Sequence, residues 1–275
     1  MIISDPGQSL ALHNVWRYNY NTLPKPCFHP LNTPAGHCLS LYEPHDHLWQ
    51  RGLWFAIKFV NGDNYWEERP PFGTQQVLDP LTITQDWAGR VRVESDLHWL
   101  PPGSQEPVVH ERRIFSHHPL SDDAYALDFE FELVPQIDVE LERTPFTTWG
   151  GYGGLAFRGT RNWEETCLLF ADGSTSTRPV GVRAPWCDLS GKLDGGLEQT
   201  GGIALFDHPT NPRHPVPWYG NNRPGYYFLN AAILFEEPMV LAAGATLALR
   251  YRVVVHDGIW SAEQIQAAYD AYVSG

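Results

Sequence analysis

"YALDFEFEL", Tyr125–Leu133, alternates strictly. Tyr125, Leu127, Phe129, Phe131 and Leu133 take one face, and Ala126, Asp128, Glu130 and Glu132 take the other. Period two over nine residues predicts a half-buried strand with one wet face. "LALRYRVVV", Leu247–Val255, repeats the pattern, with Arg250 and Arg252 opposite Leu249, Tyr251 and Val253. "VWRYNYN" sets Trp16, Tyr18 and Tyr20 against Arg17, Asn19 and Asn21, and "LTITQDWAGRVRVE" reads as two strands joined by a turn at Trp87-Ala88-Gly89. "GLWFAIKFV", Gly52–Val60, is continuously apolar, as a central strand buried on both faces would be. "GGIALFDHP" and "YYFLNAAILF" read in the same way.

Only the C-terminal stretch "SAEQIQAAYDAYV" has a helical period. Ser261 with Gln264 three residues on forms a capping box, and Ile265, Ala268, Tyr269 and Tyr272 follow at helical spacing. The chain's 24 Gly and 23 Pro punctuate many short segments. The fold predicted is all-β, a large antiparallel β-sandwich with more strands than an immunoglobulin-type domain and a short C-terminal helix. No repeat or long linker divides residues 1–275, so one sandwich domain is expected.

The formal net charge of −13 argues against a nucleic-acid or anionic-membrane partner, both of which need a basic face. No apolar run approaches the ~18 residues of a membrane span. "MIISDPGQSLALHNVW" has neither the basic nor the apolar region of a signal peptide. Cys27, Cys38, Cys167 and Cys187 show no C-x-x-C or zinc spacing. Reduced thiols in a cytoplasm are the expectation.

"GYGGLA", Gly151–Ala156, has the G-x-G-x-x-A form of a dinucleotide loop, but "FRGTRNWEE" follows without a helical period. There is no Walker A sequence, G-x-S-x-G elbow or H-E-x-x-H. Four clusters remain. In "EPHDHLWQRGLWFAIKFVNGDNYW", His45, Asp46, His47 and Arg51 precede the apolar strand, with Trp54, Asn61, Asn64 and Trp66 behind. Histidine passes protons near neutrality, arginine offers a fork to an oxyanion, asparagine pairs with hydroxyls, and indole can stack on the C–H face of a sugar. The bland alternative is a polar loop over aromatic core residues. In "FDHPTNPRHPVPWYG", Asp207, His208, Asn211, Arg213 and His214 sit among four prolines that stiffen the loop, and Trp218 follows. "TTWGGYGGLAFR" brings four glycines around Tyr152, which suit close packing of strands or a ligand. "GVRAPWCDLSG" offers Arg183, Trp186 and Asp188.

These residues resemble the bacterial PmoA-like proteins. The resemblance is carried by "KPCFHPLNTPAG", by D-H-x-x-x-R-G followed by L-W-F, by D-H-P-x-N-P-R, and by "RYRVVVHDG", and it runs from about Lys25 to the C-terminal helix. The family is often labelled a methane oxygenase, which needs membrane helices that this sequence lacks. The resemblance implies a supersandwich similar to galactose mutarotase and a role in bacterial sugar catabolism. It carries functional weight onto His29, His47, Arg51, Asn64, Trp66, His208, Asn211 and Arg213. Many members of the family it resembles have histidine immediately before the arginine, where this chain has Gln50.

The expectation is a cytoplasmic carbohydrate-active enzyme acting on a sugar or glycoside by epimerisation, or by elimination or hydrolysis of an oxidised sugar. His47 and His208 would be the acid/base pair, and Arg51 and Arg213 would stabilise an oxyanion. His29, Trp54, Asn64, Trp66, Tyr152, Arg183, Asn211 and Trp218 would bind substrate, with no cofactor. Two alternatives stay open: a non-catalytic carbohydrate-binding domain, and a metal enzyme ligated by His45, His47 and His208, with Asp207 or water completing the site.

Overall fold

In the computed structural model, Phe55 of one sheet stacks on Phe131 of another with ring centroids 4.0 Å apart, and this contact lies in the heart of the core. The residues described are 2–21, 24–143, 152–193 and 199–275. Among the described residues, twenty-one strands precede one helix. They form three sheets, and every strand pairing is antiparallel.

The nine-stranded sheet runs β1 (Ile2–Asp5), β2 (Ser9–Leu12), β3 (Trp16–Asn19), β4 (Cys27–Leu31), β5 (Leu53–Ile57), β13 (Gly153–Gly159), β19 (Tyr226–Ala231), β18 (Pro217–Arg223) and β15 (Val180–Arg183). The eight-stranded sheet runs β14 (Glu164–Phe170), β16 (Trp186–Lys192), β17 (Thr200–Asp207), β21 (Leu247–Asp257), β11 (Ala124–Pro135), β10 (Val109–Ser121), β9 (Val91–Leu100) and β8 (Thr74–Gln85). A small four-stranded sheet joins β20 (Met239–Leu241), β12 (Val139–Glu142), β6 (Phe59–Val60) and β7 (Asp63–Asn64). The alternation in sequence did not reveal this third sheet, whose strands are too short to show a period.

The two large sheets face each other across one aromatic and aliphatic core. Phe28 of β4 meets Phe115 of β10 at 5.0 Å, edge to face. Such aromatic pairs add about 0.5–1.5 kcal/mol each beyond their burial. Trp16 of β3 donates from Nε1 to Nδ1 of His117 on β10 at 3.2 Å, a polar tie between the sheets. Strand β5 is buried along its whole length, as its apolar sequence predicts. Its odd residues Leu53, Phe55 and Ile57 join the central core, while Trp54 and Ala56 point to the opposite face.

That opposite face carries a second cluster, in which Trp54, Trp66, Ala156, Tyr219 and Phe228 are buried. A third cluster covers the outer face of the eight-stranded sheet, where Trp186, Ala204, Phe206 and Val254 pack beneath α1 (Ala262–Ser274). The capping box of α1 forms as expected: Ser261 Oγ accepts from the Gln264 backbone N–H, and Gln264 Oε1 accepts from that of Ser261. Gly153–Ala156 of "GYGGLA" lie in strand β13 and not in a helix, as its rejection as a nucleotide loop requires. No helix of the described residues is long and apolar enough to cross a membrane. All four cysteines are free thiols.

Candidate functional site

The segment before β5 folds into a compact turn over the outer face of the nine-stranded sheet. Its ends are closed by the Glu43 N–H on the Gln50 carbonyl at 3.0 Å, and its middle by the His47 N–H on that of Pro44 at 2.9 Å. Gly52 ends it with φ +68°, and a Cβ there would sit 2.2 Å from the Phe28 carbonyl oxygen. Only glycine allows this turn to lie so close to β4.

The turn presents Asp46 as a hub. Its Oδ2 accepts from His47 Nδ1 at 2.9 Å and from Arg158 Nη2 at 2.8 Å. Its Oδ1 accepts from Arg161 Nη2 at 2.7 Å, which also donates to His45 Nδ1. Partial burial pushes the Asp46 carboxyl up, but the hydrogen bonds from His47 and Arg158 and the Arg158 charge outweigh it and hold the group far below the usual carboxylate range. Arg158 is fully buried. It reaches the face from β13, donates through Nη1 to Gln50 Oε1 at 2.7 Å, and sets its guanidinium carbon over the Tyr226 ring, 4.0 Å from the centroid. Its Nε has no hydrogen-bond partner among the described residues. His47 stands between Trp49 and Tyr226, at 5.3 and 5.5 Å, and its side chain is one-third exposed. No hydrogen bond occupies its Nε2 among the described residues.

Arg51 belongs to a second charge cluster. Its Nε donates to Glu68 Oε1 at 2.9 Å, Nη2 to Glu68 Oε2, and Nη1 to the Tyr42 hydroxyl and Glu43 at 2.8 and 2.5 Å. Four of its five N–H groups are thus committed, and the fork expected to receive a substrate oxyanion holds Glu68 instead. Buried Lys25 also donates to Glu68, at 2.7 Å. Burial raises the Glu68 carboxyl, but its bonds to Arg51 and Lys25 prevail and lower it overall.

Trp54 and Trp66 are about 2% and 1% exposed and pack on each other at 5.4 Å. They are the floor of the face, so neither ring is available to stack on a sugar. Tyr152 lies on Trp66 at 5.1 Å, with planes 17° apart, and is half-buried. Asn64 accepts from the Trp66 and Glu67 N–H groups and donates to Glu67 Oε2 at 2.7 Å, so it holds the 64–67 turn together and is not free for a ligand. His29 stacks on Tyr42 at 5.2 Å and pairs with the Ser40 hydroxyl, and burial lowers its pKa. Residues 147–151 of the glycine-rich segment lie outside the described residues.

Beside the turn a cleft of about 430 Å³ opens between Glu43, Asp46, Trp49, Arg51, Glu68 and Arg69. Trp49 is half-exposed and forms the wall shared with His47. Arg158, Trp49 and Tyr226 were not singled out by sequence reasoning. Arg158 is a charge at an alternation position inside a buried strand, the signal that could have exposed it.

The second loop lies elsewhere. His208 follows β17, packs edge-on against Tyr272 of α1 at 5.2 Å, and lines a depression with Arg250 and Arg252 on the outer face of the eight-stranded sheet. The central core separates it from His47, so the two histidines do not form an acid/base pair. Asn211 is a structural clip: its Nδ2 donates to Asp207 Oδ1 and the Arg250 carbonyl, and its Oδ1 accepts from the Arg250 N–H. Buried Asp207 also accepts from His214 and the Val216 N–H. Arg213 donates to the carbonyls of Ile233, Glu237 and Pro238, and Arg183 to Glu236 and the carbonyls of Arg213 and Pro215. Both arginines brace loops and face no oxyanion site. Trp218 is wholly buried in the central core with its N–H on the Ala184 carbonyl. His45, His47 and His208 do not converge, and no group of three His, Cys, Asp or Glu side chains among the described residues is placed to share a metal ion.

Among solved structures, the chain is similar to the α-galactosidase of Lactobacillus brevis, at 9% identity with a TM-score of 0.42, covering 94% of this chain and 39% of that one. It is also similar to a provisionally described kojibiose phosphorylase from the human microbiome, at 14% identity with a TM-score of 0.36, covering 99% and 36%. A TPR-domain containing protein from Parabacteroides distasonis matches at 11% identity with a TM-score of 0.26, covering 93% and 48%. The chain spans less than half the length of each. These scores are too low to carry a functional argument. No curated protein matches the chain. Residues 11–270 match the family of unknown function DUF6807, and with nearly the whole chain inside that match the protein belongs to this family.

Proposed function

We propose that the outer face of the nine-stranded sheet binds a small carbohydrate and that His47 moves a proton on it. The observation that carries this reading is the Asp46–His47 contact at 2.9 Å, with Asp46 fixed from behind by Arg158 and Arg161. A carboxylate on Nδ1 holds that proton in place and leaves Nε2 as the acceptor, the arrangement of an oriented general base. The half-exposed Trp49 and Tyr226 on either side of the imidazole offer apolar faces to a sugar ring. Arg161 keeps Nε and Nη1 free of hydrogen bonds among the described residues, so it, rather than Arg51 or Arg213, meets negative charge on a substrate oxygen. The chemistry that fits is removal of a proton next to a carbonyl or at a hydroxyl, as in epimerisation or elimination on an oxidised sugar. The motifs that resemble PmoA-like proteins, with their galactose-mutarotase-like fold, support the carbohydrate class.

The test is turnover of aldoses and 3-keto-sugars by the wild type, His47→Gln and Asp46→Asn. His47→Gln is expected to lose on the order of 10²–10⁴ in kcat with KM within a few-fold. Asp46→Asn should lose less, because the ring stays in place in a less certain tautomer. Wild-type turnover in His47→Gln would rule out this assignment. A binding module would show no turnover in any of the three and similar affinity losses in both variants.

A further inference from the structure

We propose that the carbohydrate taken by this face carries an oxyanion, a carboxylate or a phosphate ester, and that Arg69 receives it. The proposal rests on the reading of the face as a carbohydrate site. The chain as a whole repels anions, with 32 Asp and Glu against 19 Lys and Arg. The cleft beside the turn is lined by Glu43, Asp46 and Glu68 with Arg51 and Arg69, but each of its three carboxylates is already paired. Glu68 is shared by Lys25 and Arg51, Glu43 pairs with Arg51, and Asp46 pairs with Arg158 and Arg161. These three carboxylates are thus spoken for by Lys25, Arg51, Arg158 and Arg161, and Arg69 is the cation of the lining that is left over.

Arg69 differs from the other four. It makes no hydrogen bond or ion pair with any of the described residues. Its guanidinium carbon lies 4.8 Å from the centre of the Trp49 ring. The contact steadies a side chain that is otherwise exposed, and it leaves the N–H groups unpaired. A guanidinium held in this way presents two parallel N–H donors to a carboxylate or phosphate. The cleft's volume of about 430 Å³ suits one small ligand. Trp49 connects the two parts of the site, since the same ring lies 5.3 Å from His47. An oxyanion on Arg69 directs the rest of the ligand past Trp49 toward the imidazole. A neutral sugar leaves Arg69 unused.

The experiment is calorimetric titration of the full chain and of Arg69→Gln. The probes are D-glucose and D-galactose, their uronates, and their 6-phosphates, each at low and at physiological ionic strength. Arg69 is exposed and, among the described residues, makes no hydrogen bond or ion pair, so the variant folds. For at least one sugar, the acidic form should bind the wild type about two- to fivefold more tightly than its neutral parent. Added salt should shrink that advantage, and Arg69→Gln should abolish it. The uronate and phosphate arms identify which oxyanion is preferred. Equal binding of acidic and neutral forms, or a preference that survives in Arg69→Gln, overturns this proposal and leaves the carbohydrate reading standing. Absence of binding by every probe overturns both.

Discussion

Arg158 has no solvent exposure and yet lies at the centre of the polar face. It holds Asp46 and Gln50, each more than a hundred residues earlier in the chain, and rests on Tyr226. Taking away a buried cation strands its partners, and here Asp46 and Gln50 Oε1 would both lose a donor. Asp46 keeps Arg161 and is partly wet, which moderates the loss. Arg158→Met is expected to destabilise the protein by roughly 2–4 kcal/mol. Arg161→Gln, at an exposed pair, should cost under about 1 kcal/mol. Urea denaturation of both variants decides, and near-equal midpoints would show that Arg158 is not the keystone of the hub. At this scale the sequence revealed which residue types were present but not what they bind. Arg51 stood out beside two histidines, yet its fork is filled by Glu68, seventeen positions along, and no local pattern announces such a pairing.

Strands were the most legible part of the chain. Tyr125–Leu133 faces the core with the residues that alternation assigned to it, and β5 is buried on both sides. Alternation does not say which sheet a strand joins, so it could not place Trp54 and Trp66 beneath the surface of the site. One tie between elements has a pH dependence of its own. Burial of His117 on β10 pushes its pKa down from 6.5 to about 4, with a smaller push from neighbouring His118. Its Nδ1 must stay unprotonated to accept the Trp16 N–H from β3. The folded state therefore favours the neutral ring. Its contribution is fully present above the unfolded pKa and is lost as the pH falls from about 6.5 toward 4. At 1.4 kcal/mol per unit, the loss between pH 7 and pH 5 is roughly 2 kcal/mol. His117→Gln keeps an acceptor for Trp16 without a titrating group. Its unfolding free energy should change less between those two pH values than that of the wild type. An identical pH dependence would show that the tie between the sheets does not sense protons.

On the scale of the molecule, the sandwich has two decorated outer faces with the core between them. The face of the nine-stranded sheet holds His47, Trp49, Tyr226 and the charge clusters. The face of the eight-stranded sheet holds α1 and, at its rim, His208. From sequence, His47 and His208 looked alike, since each follows an aspartate and precedes a turn. What separates them is the parity and sheet membership of the strands beside them, which only the pairing of strands far apart in the chain determines. Their backgrounds differ too. Asp46 beside His47 is anchored by two arginines and, among the described residues, Nε2 has no hydrogen-bond partner, whereas His208 Nδ1 accepts from the Thr210 N–H and burial lowers its pKa. A paired acid/base mechanism predicts that losing either histidine costs about as much as losing both. Two separate faces predict otherwise. His208→Ala should leave kcat within a few-fold of the wild type, and the double variant should lose about the product of the single losses. Its effect should fall on stability instead, through the lost packing against Tyr272. Measured turnover of the two single variants and the double variant decides. A loss in His208→Ala as deep as that in His47→Gln, with no further loss when both are changed, would mean that the two faces act on one substrate.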